Sequence, residues 1–365
     1  MATPERGRLV FLSAPETIEY LEFDLPDPGP GSVLARVARA NVCGSELHIW
    51  RGHHPTVKQC VMGHEMVGRA AALGAGVETD FAGQPLRVGD RIAATYFMIC
   101  RKCRACRRGQ FNLCENAYRF WMQPPQNPPH FHGTFGTHYY IHPDQYVYRV
   151  PDEVSDQVAS FANCALAQVY YGLDRAELRA GETVVIQGAG GLGLSAIAVA
   201  KERGARVIVI DGVGYRLEAA EAFGADEIVD LREHETPQAR AERVATLADG
   251  WGADVGIELT GVPAAFSEGV SLVHPGGRYV SIGNVSPGLT TEFDPGALTR
   301  RSVEIIPIVR YQPWYLHKVL RFLADTANRF PWASLVDTDF QFDRVEDALQ
   351  KSARREVRRA SIVMP

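Results

Sequence analysis

The rhythm of apolar positions changes near residue 150. Before it, apolar residues come in short runs broken by turns. "GSVLARVARA" (31–40) partly alternates apolar and polar, "GDRIAAT" (89–95) starts on a Gly-Asp turn, and "DQYVYRVP" (144–151) sets Tyr146 and Tyr148 against Val147. A period of two between turn residues predicts strands. Helix-period stretches are scarce here, so an irregular β-barrel with long loops is expected. One loop, "WMQPPQNPPHFHG" (Trp121–Gly133), carries four prolines and is expected to be a stiff surface excursion.

After Val150, buried-strand runs alternate with helix-length amphipathic ones. The strands are "ETVVIQG", "RVIVID", "EIVD", "ADVGIEL" and "GGRYVSIGNV"; between them lie helices read from "GLGLSAIAVAKERGA", "GYRLEAAEAFGAD", "ETPQARAERVATLADG" and "VPAAFSEGVSLV". That alternation predicts a doubly wound parallel sheet covered on both faces. "SVEIIPIV" (302–309) is expected to add an edge strand, and "PWYLHKVLRFLADTA" (313–327) a helix opened by proline.

Length and charge narrow the class. At 365 residues the chain exceeds what one core normally serves, which predicts two domains. A net charge of −5 argues against nucleic-acid binding as the main task. The opening "MATPERGRLVFLSAPETIEY" has no signal-peptide pattern, and no stretch reaches the ~20 apolar residues of a membrane helix. A cytoplasmic protein with reduced thiols is therefore expected, with no membrane partner.

In that setting "CRKCRACRRGQFNLC" carries chemistry. Cys100, Cys103, Cys106 and Cys114 follow C-x2-C-x2-C-x7-C, a spacing that lets four thiolates close on one tetrahedral zinc ion. Four protein ligands leave no open position, so this site is structural. The basic residues among them (Arg101, Lys102, Arg104, Arg107, Arg108) offset thiolate charge. Their alternative reading is a nucleic-acid patch on a catalytically silent, zinc-stabilised nucleotide-binding protein.

The glycine-rich turn carries a second function. "VVIQGAGGLGLSAIAVA" places Gly188, Gly190 and Gly193 as G-x-G-x-x-G, with Gly191 and Leu192 inside, after a strand and at a helix start. Backbone N–H groups and the helix dipole there favour a pyrophosphate. Asp211 ends the second strand, where a carboxylate holds the ribose 2′-OH and repels a 2′-phosphate. NAD is favoured over NADP; Arg216, close behind, is the residue that would accommodate the phosphate.

Three further pieces, "NVCGSELHIW", "MGHEMVG" and "FANCALAQVYYGL", supply Cys43, His64 with Glu65, and Cys164. Spacing alone does not join them. Together with the other motifs, however, the chain resembles the zinc-containing medium-chain dehydrogenases/reductases, the alcohol dehydrogenases. "CGSELH" matches their C-G-[ST]-D-x-H, "GHE" their G-H-E, and "CRKCRACRRGQFNLC" their structural zinc lobe, while "GAGGLG", "GADVGIELTG" and "HPGGRYVSIG" follow in order.

The resemblance implies a chaperonin-10-like (GroES-like) β-barrel catalytic domain, residues 1–155 and 301–365, around a Rossmann domain, 156–300, with a cleft between them. It implies two zinc ions per subunit. One is structural; the other is catalytic, on Cys43, His64 and Cys164 with Glu65 behind or exchanging as fourth ligand. Ser45 and His48 match the family's proton relay. Trp50, Tyr96 and Trp121 are expected to line the substrate pocket, and aromatic walls suit a bulky apolar or aromatic alcohol. Two departures stand out: Glu46 replaces the usual aspartate behind the zinc ligands, and Cys164 stands where polyol and threonine dehydrogenases tend to carry glutamate. The expected activity is reversible hydride transfer between an alcohol and NAD, with a polyol or sugar dehydrogenase as the alternative within the family. A homodimer or homotetramer is expected. Cys60 is expected to be inert, and His53, His54, His130, His132 and His138 to be mostly surface loop residues.

Overall fold

The computed structural model describes residues 5–54, 59–284 and 286–365. Along the chain come β1 (Arg6–Ala14), β2 (Thr17–Asp24), β3 (Val33–Asn41), α1 (Gly44–Trp50), β4 (Cys60–Val61), β5 (Glu65–Leu73), β6 (Arg91–Ala94), α2 (Arg104–Arg107), β7 (His138–Ile141), β8 (Val147–Arg149) and α3 (Asp156–Ala159). A wide π turn, Ala162–Leu166, leads into α4 (Ala167–Arg175). The alternating series follows: β9 (Thr183–Gln187), α5 (Gly191–Glu202), β10 (Arg206–Asp211), α6 (Gly214–Ala222), β11 (Glu227–Asp230), α7 (Pro237–Leu247), β12 (Ala253–Glu258), α8 (Pro263–Leu272), β13 (Val273–Ser281), α9 (Pro295–Arg301) and β14 (Glu304–Pro307). Last are α10 (Tyr315–Asp325), β15 (Thr338–Gln341), α11 (Val345–Ala353) and β16 (Ala360–Val363).

These elements form two compact units. The first holds residues 1–164, 312–327 and 332–365; the second holds 165–311 and 328–331. The boundaries expected from sequence, 155/156 and 300/301, fall short at both ends. Asp156 is held by Arg91 of β6 at 3.0 Å, which keeps α3 with the first unit. β14 pairs in parallel with β13, which keeps 304–307 with the second.

The second unit is a six-stranded parallel sheet in the order β11-β10-β9-β12-β13-β14. Val184, Val185, Ile186, Val207, Ile208 and Val209 are fully buried, as strands covered on both faces require. Chain order reverses between β9 and β12, so the crevice past their carboxyl ends is where a ligand is expected in such a sheet.

In the first unit, one sheet runs β15-β16-β3-β5-β6-β8 with β7 also on β3; a smaller one runs β2-β1-β4. Their apolar faces share a core that includes Val10, Val37, Ile92, Phe135 and Ile362. Register positions the chemistry. Asn41, the last residue of β3, pairs antiparallel with Glu65, the first of β5. The chain leaving β3 towards Cys43 thus runs beside the chain entering β5 through His64. On the other side of β3, Ser361 pairs with Asn41, which brings the residues before β16 to the same corner.

The proline-rich loop departs from its expected form. It is built of turns, yet Trp121, Pro125, Phe131, His132 and Gly133 are buried, so it folds back onto the unit. His132 and His138 are likewise buried, not surface residues. Among the described residues, no helix is long and apolar enough to cross a membrane.

Candidate metal centres and dinucleotide turn

Cys43, His64, Glu65 and Cys164, spread over 122 residues of chain, present ligand atoms all within 4.8 Å of one another, and all four are buried. Cys43 is the N-cap of α1. Its Sγ lies 3.5 Å from His64 Nε2, which lies 3.3 Å from Cys164 Sγ. His64 follows Gly63, whose φ is +89° and whose Cβ, if present, would fall 2.4 Å from the Phe135 ring. Only glycine fits, which explains the G-H-E order. Cys164 sits on the π turn, and its neighbour Asn163 ties that turn down by donating to the carbonyls of His64 and Ala94, each at 2.9 Å.

Glu46 serves two ligands at once. One carboxylate oxygen accepts the Cys43 N–H at 3.0 Å, closing a capping box on α1. The other contacts His64 Nδ1, leaving Nε2 to the cluster. Burial, reinforced by negative charge on Cys43, pushes the Glu46 carboxyl up to about 8. Burial also disfavours the Cys43 thiolate, but the hydrogen bond with Cys164 and the charge of His64 outweigh it and hold Cys43 well below the ordinary thiol range.

Glu65 was expected behind the cluster, and its partner was not legible in the sequence. Arg359, just before β16, binds both Glu65 oxygens, at 2.8 and 2.6 Å, and Asn41 donates to one of them at 3.1 Å. Ser45 Oγ lies 2.7 Å from Cys43 Sγ. His48 is three residues on, on the same face of α1. Burial, then the charges of His53 and Arg51, lower its pKa, so it is neutral at neutral pH. The Tyr96 and Trp121 rings stand 4.9 and 5.6 Å from the His64 ring; Trp50 is buried in the same core. Cys60 is fully buried, and burial drives its thiol upward.

The second cluster is Cys100, Cys103, Cys106 and Cys114, also within 4.8 Å. Backbone N–H groups of Cys100, Cys103 and Cys106 point at the sulfurs of Cys114, Cys100 and Cys103, at 3.4, 3.4 and 3.5 Å. Asn116 adds a fourth donor, to Cys100 at 3.3 Å. Donors aimed at sulfur favour thiolates, so both donor sets, Cys₄ here and Cys₂His with a carboxylate behind it, fit zinc.

In the second unit Gly188 has φ +97°, and a Cβ on Gly193 would lie 1.9 Å from the Gly188 carbonyl oxygen. Gly190, the N-cap of α5, has open space where its Cβ would be. A turn closed at one glycine and open at the next leaves room for a pyrophosphate against the helix N-terminus. Gly191 and Leu192 form the first turn of α5, both half-buried. Asp211 ends β10 as expected. Its carboxylate accepts N–H bonds from Ala189, Gly212 and Val213 at 2.8, 2.7 and 2.9 Å, and Arg216 stands 3.9 Å away.

A doubly wound parallel sheet with a glycine-rich first turn, carried on one chain with a β-rich unit holding two thiol clusters, is the make-up of a metal-dependent dehydrogenase. Known proteins agree. Residues 29–152 match the alcohol dehydrogenase GroES-like domain, and residues 191–325 the zinc-binding dehydrogenase family. The 5-exo-hydroxycamphor dehydrogenase of Pseudomonas putida is 32% identical over 91% of this chain and 92% of its own. The L-threonine 3-dehydrogenase of Pyrococcus horikoshii is 34% identical over 76% of this chain and 75% of its own. The crystal structure of an alcohol dehydrogenase from Thermotoga maritima superposes with a TM-score of 0.92 at 28% identity, covering 99% of this chain and 100% of that one. The chain belongs to the zinc-dependent alcohol dehydrogenase family of the medium-chain dehydrogenases/reductases. It is an oxidoreductase acting on an alcohol or the corresponding carbonyl compound.

Proposed function

We propose that this chain is an NAD-dependent dehydrogenase for a bulky apolar or aromatic alcohol, with catalysis at Cys43, His64 and Cys164. The convergence of those three side chains with Glu65 inside 4.8 Å carries the reading. When bound there, zinc would supply Lewis acidity to the alcohol oxygen, and NAD would accept the hydride. Cys100, Cys103, Cys106 and Cys114 would hold a second, structural ion.

The chain's own residues do the rest. Glu46 fixes the His64 tautomer and the start of α1 together, so two ligands keep their aim through one carboxylate. Ser45, beside Cys43, accepts the alcohol proton as it releases its own hydroxyl proton, and neutral His48 takes up a proton on the way to solvent. Tyr96 and Trp121 flank His64 with apolar ring surface, which excludes water and favours large substrates. A relative named for a hydroxycamphor supports that size class. Cys164, in place of the glutamate of polyol and threonine dehydrogenases, favours simple alcohols over polyols. In the second unit the Gly188–Gly193 turn binds the pyrophosphate, and Asp211 accepts from the ribose and favours NAD over NADP.

The expected setting is cytoplasmic. The expected assembly is a homodimer or homotetramer, supported by the edge position of β14 in its sheet. A panel of bulky apolar alcohols, short alcohols and polyols, followed at the NADH absorbance with NADP in parallel, tests the reading. Turnover is expected first with the bulky alcohols, with kcat/KM for NAD at least about tenfold that for NADP. Preference for polyols, or equal use of NADP, would overturn the substrate or the cofactor assignment. Light scattering checks the assembly, and a mass of one chain would refute it.

A further inference from the structure

Beside the cysteine lobe, wholly within the first unit, lies a cavity of ≈ 620 Å³ that no step above uses. Its size falls in the range of about 300–1,000 Å³ typical of small-molecule sites. We propose that it is a second ligand site, built for a flat organic carboxylate such as an aromatic acid.

The cavity wall carries more positive than negative side chains: Lys102 and Arg119 against Asp144. Arg119 and Lys102 both line the cavity as solvent-exposed cations, and neither is ion-paired to a carboxylate among the described residues. His142 Nδ1 accepts the Asp144 N–H at 3.1 Å, which places its proton on Nε2. Burial lowers the His142 pKa, so the ring stays neutral and keeps that one N–H to give. Tyr140 accepts the Gly29 N–H at 2.9 Å, leaving its own O–H unspent. Two cations, an imidazole N–H and a phenol O–H thus belong to residues that line the cavity, beside the neutral polar side chains of Ser32, Asn116 and Gln123. The wall's single carboxylate, Asp144, is engaged by Arg101 at 3.1 Å. A wall rich in donors, with its acid already paired, is complementary to an anion.

The rest of the surface sets the ligand's shape. Phe120 stands at the centre of a ring cluster, with His132 perpendicular at 4.6 Å and His142 at 5.1 Å. Pro128 and Pro129 complete the apolar side. Rings and prolines suit a flat apolar body, and the cations suit its carboxylate. Trp121, the next residue, does not line this cavity and packs near the His64 ring instead.

The test is calorimetric titration of the zinc-loaded full chain with benzoate and, in parallel, with benzamide, which keeps the ring and loses the charge. Benzoate is expected to bind at least about tenfold more tightly than benzamide and to weaken with added salt. The variant Arg119→Gln is expected to lose about tenfold in benzoate affinity with kcat/KM for the alcohol unchanged. Inhibition kinetics separate the two sites, because benzoate at the catalytic centre competes with the alcohol and benzoate at the new site does not. Equal binding of the two probes, no binding by either, or benzoate binding that is purely competitive and survives the Arg119→Gln substitution would overturn the proposal. The wild-type comparison of the probes stands even if the variant fails to fold.

Discussion

Arg359→Met removes the guanidinium that neutralises Glu65. Glu65 is 0% and Arg359 5% exposed, and they meet through contacts of 2.8 and 2.6 Å. With methionine at 359, the carboxylate keeps one side-chain donor, Asn41 at 3.1 Å, and loses its guanidinium partner. Breaking a buried pair on one side costs about 3–5 kcal/mol, because the survivor stays desolvated and unpaired. Removing both charges in Glu65→Leu, Arg359→Met is far milder and is expected within about 1 kcal/mol of wild type. Asn41 then still donates to Ser160 Oγ at 2.9 Å. Urea unfolding of the zinc-loaded protein, followed by tryptophan fluorescence, reads this directly. Four of the five tryptophans (Trp50, Trp121, Trp314, Trp332) lie in the first unit, so the signal reports the unit that holds the pair. A single variant that loses less than about 1 kcal/mol, or a double variant at least as unstable as the single, would refute the reasoning.

Other substitutions probe the remaining parts. Gly193→Ala sets a methyl 1.9 Å from the Gly188 carbonyl oxygen; NADH affinity is expected to fall by about tenfold or more with zinc content unchanged, measured by fluorescence titration and metal analysis. His48→Gln is expected to lower kcat for alcohol oxidation by about 10²-fold, with partial rescue by imidazole buffer, and the wild-type profile is expected to show no His48 limb above pH 6.5. Burial holds His132 at about 4 against an ordinary 6.5, so the unfolded chain takes the proton first as pH falls. Its contribution to stability is complete above pH 6.5 and is lost on acidification towards pH 4, about 3 kcal/mol in all. His132→Gln is expected to flatten the stability profile in that window by urea titration; an unchanged slope would contradict it.

What the sequence made legible follows from range. The β9–α5–β10 unit was readable because strand run, glycine spacing and terminal acid all sit within one short segment and obey local rules. The Cys100–Cys114 lobe was readable for the same reason. Cys43, His64 and Cys164 were not, since their meeting depends on Asn41 pairing with Glu65 across two strands and on a π turn that no residue pattern announces. Only the family resemblance joined them. Arg359 left no signal at all: it lies in "REVRRASIV" among other arginines, and its role appears only when Ser361 is seen opposite Asn41. The domain edges slipped because a strand belongs to whichever sheet pairs with it, and the pairing of β14 is long-range.

X-ray absorption at the zinc edge on the metal-loaded chain reads the two metal environments directly. Two zinc ions per chain are expected, one in an all-sulfur shell and one bound by two sulfurs and an imidazole nitrogen. The nitrogen signal should vanish in His64→Ala while the all-sulfur shell remains. A single zinc per chain, with only sulfur around it and no change in that variant, would contradict the account.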